Sequence, residues 1–166
     1  MHTKLRFTGP HGAPYQLGDA ICVYADGTLL ATVDVALLRS GTEVELGAVS
    51  ATPMLRDDER NLGGLVFYEM CVFITERFAQ VQAIRFTFTR PMSALGSPWS
   101  QAVARVAVAE RIGAVDIKVT AQDSGGYAVR GVWPYSEANV AALREALEEH
   151  RKRYCDHPLV GDARGL

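Results

Sequence analysis

The sequence predicts one mixed α/β domain of 166 residues built around a single sheet. Three observations carry that prediction. Short segments alternate apolar with polar residues between Gly, Pro and Asp turn signals, as in Ile84-Arg85-Phe86-Thr87-Phe88. A stretch from Asn61 to Phe78 is apolar on nearly every side, broken only by a stripe carrying Glu69 and Glu76. A final stretch from Ser136 to about Tyr154 has a narrow apolar face, Val140, Leu143 and Leu147, and a charged one.

Taken in order, Thr3 to Thr8 reads as a short strand, and Gly9, Pro10, Gly12 and Pro14 as a loop. Ala20 to Tyr24 and Leu29 to Leu38 flank Asp26-Gly27, a pair suited to a hairpin turn that needs positive φ. Ser40-Gly41 turns the chain into a third strand, Glu43 to Thr52, which Pro53 ends. These tight connections predict an antiparallel meander. A charged loop, Arg56 to Arg60, then leads into the apolar helix, which starts at Gly63-Gly64. Val81 to Thr89 follows as a half-buried strand. Strand, helix and strand predict a crossover whose two strands are parallel or splayed.

Pro91 to Trp99 reads as a loop, and Gln101 to Ile112 as a helix stopped by Gly113. Val115, Ile117 and Val119 alternate with polar residues in a strand. Asp123 to Gly126 turns the chain back into Tyr127 to Trp133, which Pro134 ends. Ser136 is placed to cap the last helix. Within it, Glu148 with Lys152 and Glu149 with Arg153 have the spacing of i,i+4 pairs. The domain spans 1–166, with a short N-terminal strand and loop over 1–19, the C-terminal helix over 136–154 and a tail over 155–166.

Seventeen basic side chains against nineteen acidic ones give a net charge of −2, so no general attraction to nucleic acid or an anionic membrane is expected. The opening MHTKLRFTG lacks the apolar core of a signal peptide, and no apolar run is long enough to span a bilayer. Cys22, Cys71 and Cys155 are odd in number and far apart, which suits a reducing cytoplasm. The four histidines form no pair with helical ligand spacing, and Cys155 with His157 is too small a cluster to hold a metal.

The segment from Thr42 to Phe78 carries the chemistry. Amide groups at a helix start are unpaired and point outward, and the helix dipole adds partial positive charge. Gly63 and Gly64 allow an anion to come close, and Arg56 and Arg60 flank the loop. Together they have the makings of a pyrophosphate cradle. It is neither a Walker loop nor a dinucleotide fingerprint, since the required lysine and glycine patterns are missing. Glu43 and Glu45 share one face of the preceding strand. A carboxylate in a partly apolar cleft has its pKa raised and accepts an amine proton.

Arg60-Asn61-Leu62-Gly63-Gly64-Leu65 resembles the Gln/Arg-x-x-Gly-x-Gly/Ala motif of the GNAT superfamily of acyl-CoA-dependent N-acyltransferases, with Leu65 in place of the last small residue. Pro53-Met54-Leu55-Arg56 and Ala109-Glu110-Arg111-Ile112-Gly113 also resemble runs of that family, and the resemblance covers roughly Ala20 to Tyr135. It implies a mostly antiparallel sheet of about six to seven strands with helices on both faces. It implies acetyl-CoA or another acyl-CoA as co-substrate and no metal. The backbone of Val49, Ser50 and Ala51 would pair with the pantetheine arm at a splay between two strands. The amides of Arg60, Asn61, Leu62, Gly63, Gly64 and Leu65 would hold the pyrophosphate. Glu43 or Glu45 would take the amine proton, and Trp133 would line the acceptor site or fill core.

Three departures stand against the family pattern. Ala109 occupies the place of the tyrosine that often protonates the leaving thiolate, leaving Tyr68, Tyr127 or Tyr135 as substitutes. Ala102 stands near the place of a frequent asparagine. Only Gly9 to Asp19 connects the first two strands, where the family usually has one or two helices. The expected function is transfer of an acyl group, most simply acetyl, to an amine on a small molecule or protein. The alternative is a catalytically inactive CoA-binding or protein-interaction module. A homodimer would cover the open sheet edges.

Overall fold

The computed structural model of the chain describes residues 4–56, 62–89 and 97–155, and of Met54, Arg56, Tyr154 and Cys155 the backbone alone. Arg60, Asn61, His157 and most of the expected tail lie outside the described residues. Among the described residues seven strands form one sheet: β1 (Leu5–Thr8), β2 (Ile21–Ala25), β3 (Thr28–Leu38), β4 (Glu43–Ala51), β5 (Ala83–Phe88), β6 (Val115–Ala121) and β7 (Tyr127–Pro134). A short helix, α1 (Pro53–Arg56), precedes three long ones, α2 (Leu62–Arg77), α3 (Pro98–Arg111) and α4 (Glu137–Cys155). The strand order is β1-β2-β3-β4-β5-β7-β6. Every pairing is antiparallel except β4 with β5. The expected mixed, mostly antiparallel α/β sheet is therefore present.

Local chemistry explains the turns. Asp26 (φ 48°) and Gly27 (φ 80°) both take positive φ between β2 and β3, the geometry that matches strand twist in a two-residue hairpin. Ser136 Oγ accepts from Asn139 N at 3.1 Å and caps α4 as expected. Helix α3 starts three residues earlier than its apolar periodicity suggests. Ser97 Oγ accepts from Ser100 N at 3.1 Å, and Pro98 fills the first turn, where its missing N–H costs nothing. Trp99 thus belongs to a helix rather than a loop.

The distribution of helices differs from the expectation. Residues directly opposite across strands share a face, so Ile84 with Trp133, and Phe86 with Gly131, point the same way. Helix α2 packs Phe67 against Phe86 and Phe88 on that face. The Trp133 indole N–H donates to the Ile112 carbonyl at the end of α3, at 2.7 Å. Tyr68 Oη of α2 donates to the Val108 carbonyl of α3 at 2.6 Å. Helix α4 clasps both, through Arg151 to Glu69 (2.9 Å), Arg144 to Glu76 (3.2 Å) and Arg111 to Glu149 (2.8 Å). The three long helices therefore lie together on one face. The β1–β2 connection contains only a single 3₁₀ turn, Pro10–Gly12, and supplies no helix for the other.

This stacking explains why α2 is apolar almost all round. It is buried beneath the other helices as well as against the sheet, with Leu62, Leu65, Tyr68, Cys71 and Ile74 all inaccessible. Leu62, Leu65 and Ile74 each contribute roughly 1.5–3 kcal/mol by leaving water. The stacking also redirects one of the two expected charged pairings. Glu149 meets Arg111 of α3 rather than Arg153, while the Glu148–Lys152 pair forms at 3.5 Å.

Candidate functional site

The ladder between β4 and β5 is short. It joins Glu43 to Ala83, Val44 to Ile84, Glu45 to Arg85 and Leu46 to Phe86, then stops. Beyond it β4 stays paired with β3 as far as Ala51, and β5 stays paired with β7 as far as Phe88. The two strands diverge into a wedge. The β3–β4 pairing changes register between Leu46 and Val49, and such a bulge bends the strand. On the other side, Phe86 and Phe88 stack on each other at 4.8 Å and Phe67 fills the angle against both.

Val49, Ser50 and Ala51 form the outer part of β4, past the divergence. Val49 and Ser50 are exposed and Ala51 half-buried. Among the described residues, their backbone groups facing away from β3 have no β5 partner, which leaves an unpaired strand edge in the middle of the sheet. The first turn of α2 stands over the same end. Phe67, in its second turn, touches Phe88, the last residue of β5. Leu62, Gly63, Gly64 and Leu65 therefore open α2 above the wedge, and their first-turn amides have no partner within the helix. Leu62, Gly64 and Leu65 are buried, whereas Gly63 is exposed, with open space where a Cβ would stand.

The paired glutamates lie at the closed end of the wedge, on the sheet face opposite α2, α3 and α4. Glu43 is held. Arg85 Nε donates to its Oε2 at 2.9 Å, and Arg39 Nη1 lies 3.3 Å from its Oε1. The Arg85 hydrogen bond pulls the Glu43 pKa below its ordinary value, and Arg39 adds to the pull; together they outweigh desolvation, which acts the other way. A raised pKa, expected for a base in an apolar cleft, is thus overturned for Glu43 because two guanidinium groups face it. Glu45 is half-buried, directly opposite Arg85 and one residue from the end of the ladder.

Trp133 does not line a cleft. It is fully buried under α3, and its only polar atom is satisfied by Ile112. Its place on the helix-covered face makes it core. The tyrosines are accounted for as well. Tyr68 has its hydroxyl taken by Val108, and burial pushes its pKa up to about 12. Tyr127 packs edge-on to Trp99. Tyr135 borders a small groove with Val72, Thr75 and Val140, toward the far end of α2. The thiol of Cys71 is pushed well up by complete burial and is inert as a nucleophile. Among the described residues no cluster of His, Cys, Asp and Glu could hold a metal, and no helix is long and apolar enough to cross a membrane.

No protein-family model matches the chain, and no curated protein does. Solved structures to which it is similar include Ard1 from Thermoplasma volcanium, at TM-score 0.46 and 13% identity over 82% of this chain and 100% of that one. An acetyltransferase of the GNAT family from Bacillus anthracis is similar at TM-score 0.45 and 11% identity, over 69% and 65% of the two chains. The aminoglycoside acetyltransferase AAC(6')-Ib, in complex with coenzyme A and kanamycin, is similar at TM-score 0.42 and 13% identity, over 81% and 72%. At this overlap and identity the likeness assigns no activity to the chain.

Proposed function

We propose that the chain is an acyl-CoA-dependent N-acyltransferase, moving a short acyl group, most simply acetyl, to an amine. The β4–β5 wedge carries this reading. An unpaired backbone edge accepts an extended, amide-bearing arm as a strand would. The opening amides of α2 stand at the same end, where the diphosphate of the same molecule would lie. With the arm along Val49, Ser50 and Ala51, its thioester reaches the closed end of the wedge, near Leu46 and Glu45.

The reaction would be direct attack. The amine nitrogen bonds to the thioester carbonyl carbon, the carbon–sulfur bond breaks, and the thiolate leaves with the electron pair. Glu45 takes the proton lost from nitrogen, directly or through water, and solvent returns one to sulfur. Backbone N–H groups at the wedge stabilise the negative charge on the carbonyl oxygen during attack. Of the two glutamates, Glu45 is the base, because Glu43 is committed to Arg85 and Arg39.

A non-catalytic CoA-binding module is the second reading, favoured by the occupied Tyr68 hydroxyl and the missing acid at Ala109. Calorimetric titration with acetyl-CoA, and with CoA as a control, tests the site itself. Saturable binding is expected. No binding at millimolar ligand would make the wedge an ordinary irregularity of the sheet. Release of free thiol in the presence of an amine separates enzyme from module.

A further inference from the structure

The sheet face opposite the helices carries a row of side chains leading directly away from the wedge. Thr87 is the first β5 residue beyond the β4 ladder. Arg130 of β7 stands directly opposite it, and Lys118 of β6 directly opposite Arg130. All three point to the open face, since Phe86 and Phe88 point to the helices. Two like charges directly across a strand pair repel each other. Arg130 and Lys118 are both exposed, and neither forms an ion pair among the described residues. Of the carboxylates on this face, Glu43 bonds Arg85, Glu45 and Asp116 act on the same guanidinium, and Asp34 of β3 lies beside Gly47. Among the described residues the cation pair therefore has no acidic partner beside the wedge.

We infer that Arg130 and Lys118 bind the anionic group of the acceptor, so that the substrate is an amine carrying a carboxylate. This rests on the acyltransferase reading and extends it to substrate class. Glu45 is two strands from Arg130 and two residues along, a backbone separation of about 12 Å from strand spacing and rise. The long Arg and Lys side chains and the Glu45 side chain reach across much of that span. An amine and a carboxylate a few bonds apart bridge the remainder, with nitrogen at Glu45 and the carboxylate at the cation pair. Thr87, a small residue, borders the wedge mouth on this face, and Gly47 lies against Asp34 of β3. A polyamine would place positive charge against Arg130 and Lys118 and be rejected.

The test compares β-alanine with β-alaninamide as acceptors, by thiol release from acetyl-CoA. β-Alanine is expected to have at least a tenfold higher kcat/KM, and the Lys118→Ala/Arg130→Ala double variant to lose that preference through KM. The Lys118→Arg/Arg130→Lys variant, which keeps both cations, should retain it. A preference for the amide or for spermidine, or one that the double variant keeps, would overturn the inference. A second readout needs no turnover. Glutarate titrated into isotope-labelled full-length chain should shift the amide resonances of Lys118 and Arg130, and not do so in the double variant. Absence of those shifts at tens of millimolar would overturn it too. Acetyl-CoA calorimetry on the same samples reports on the wedge alone, so failure of the cation pair and failure of the acyltransferase reading are told apart.

Discussion

Arg85 Nε donates to Glu43 Oε2 at 2.9 Å, across the parallel pair of strands at the closed end of the wedge. The bond ties β4 to β5 immediately before they part. Because it depresses the Glu43 pKa, its contribution is present at neutral pH and is lost as pH falls through the depressed value. Glu43→Gln should lower the melting temperature at pH 7, and the gap to the wild type should shrink below about pH 4, where ordinary glutamates protonate. Melts at stepped pH check this, and a constant gap would contradict it. Glu45→Gln should act on chemistry instead, cutting kcat by on the order of a hundredfold while leaving acetyl-CoA affinity in place.

Gly63 gives a prediction in which stability and function move in opposite directions. A Cβ there would meet nothing, and its helix would gain from losing a glycine. Gly63→Ala should stabilise the fold by a few tenths to about 1 kcal/mol. If the opening of α2 receives a diphosphate, the added methyl should also weaken acetyl-CoA binding. Denaturant melts and calorimetry on one sample measure both. Raised stability with unchanged affinity would remove Gly63 from the site.

Trp133→Phe distinguishes core from acceptor site. The Ile112 carbonyl would lose its donor in a fully buried position, at a cost of about 1–3 kcal/mol. KM for the amine should not move once folded protein is assayed. A change in KM without loss of stability would return the indole to the cleft.

His150 supplies a pH signature remote from the wedge. It is buried against Tyr68, ring centroids 4.9 Å apart, with Nδ1 on the Ala146 carbonyl at 3.1 Å and Nε2 without a partner among the described residues. Burial holds its pKa below the ordinary value, and Arg153 and Arg111 push the same way against the opposing effects of the Ala146 carbonyl and Glu149. The unfolded chain therefore binds a proton at a higher pH than the folded one. Stability should lose its contribution from neutral His150 as pH falls from about 6.5 toward that depressed value. His150→Phe should flatten the slope in this window. An unchanged slope in chemical denaturation between pH 5 and 8 would contradict the assignment.

Local order was readable in the residues themselves. Asp26-Gly27 specified its turn by its φ requirements, Ser136 its cap, and Ile84, Phe86 and Phe88 the buried side of β5. The stripe of Glu69 and Glu76 was readable, but its partners Arg151 and Arg144 were not, because they are brought in by tertiary packing. Periodicity says that a helix buries a face, not which side of the sheet it joins, so the gathering of α2, α3 and α4 on one side could not be read. For the candidate site, the two glutamates and the glycine pair were visible as residue types. The difference between them was not, since it depends on Arg85, forty-two positions away, standing beside Glu43. The Ser97 cap was hidden in a segment whose Ser, Gly and Pro content reads as loop.

The divergence of β4 and β5 has one more consequence, for inheritance rather than energy. A guest seated there would be read by peptide groups, which every amino acid except proline supplies in full. Ala48, Val49, Ser50 and Ala51 could each be exchanged for another extended-chain residue and still present the same donors and acceptors. Such a site leaves almost no mark in the letters that encode it. Two chains could share its use and differ at each of these positions, provided both keep the strands apart after four rungs.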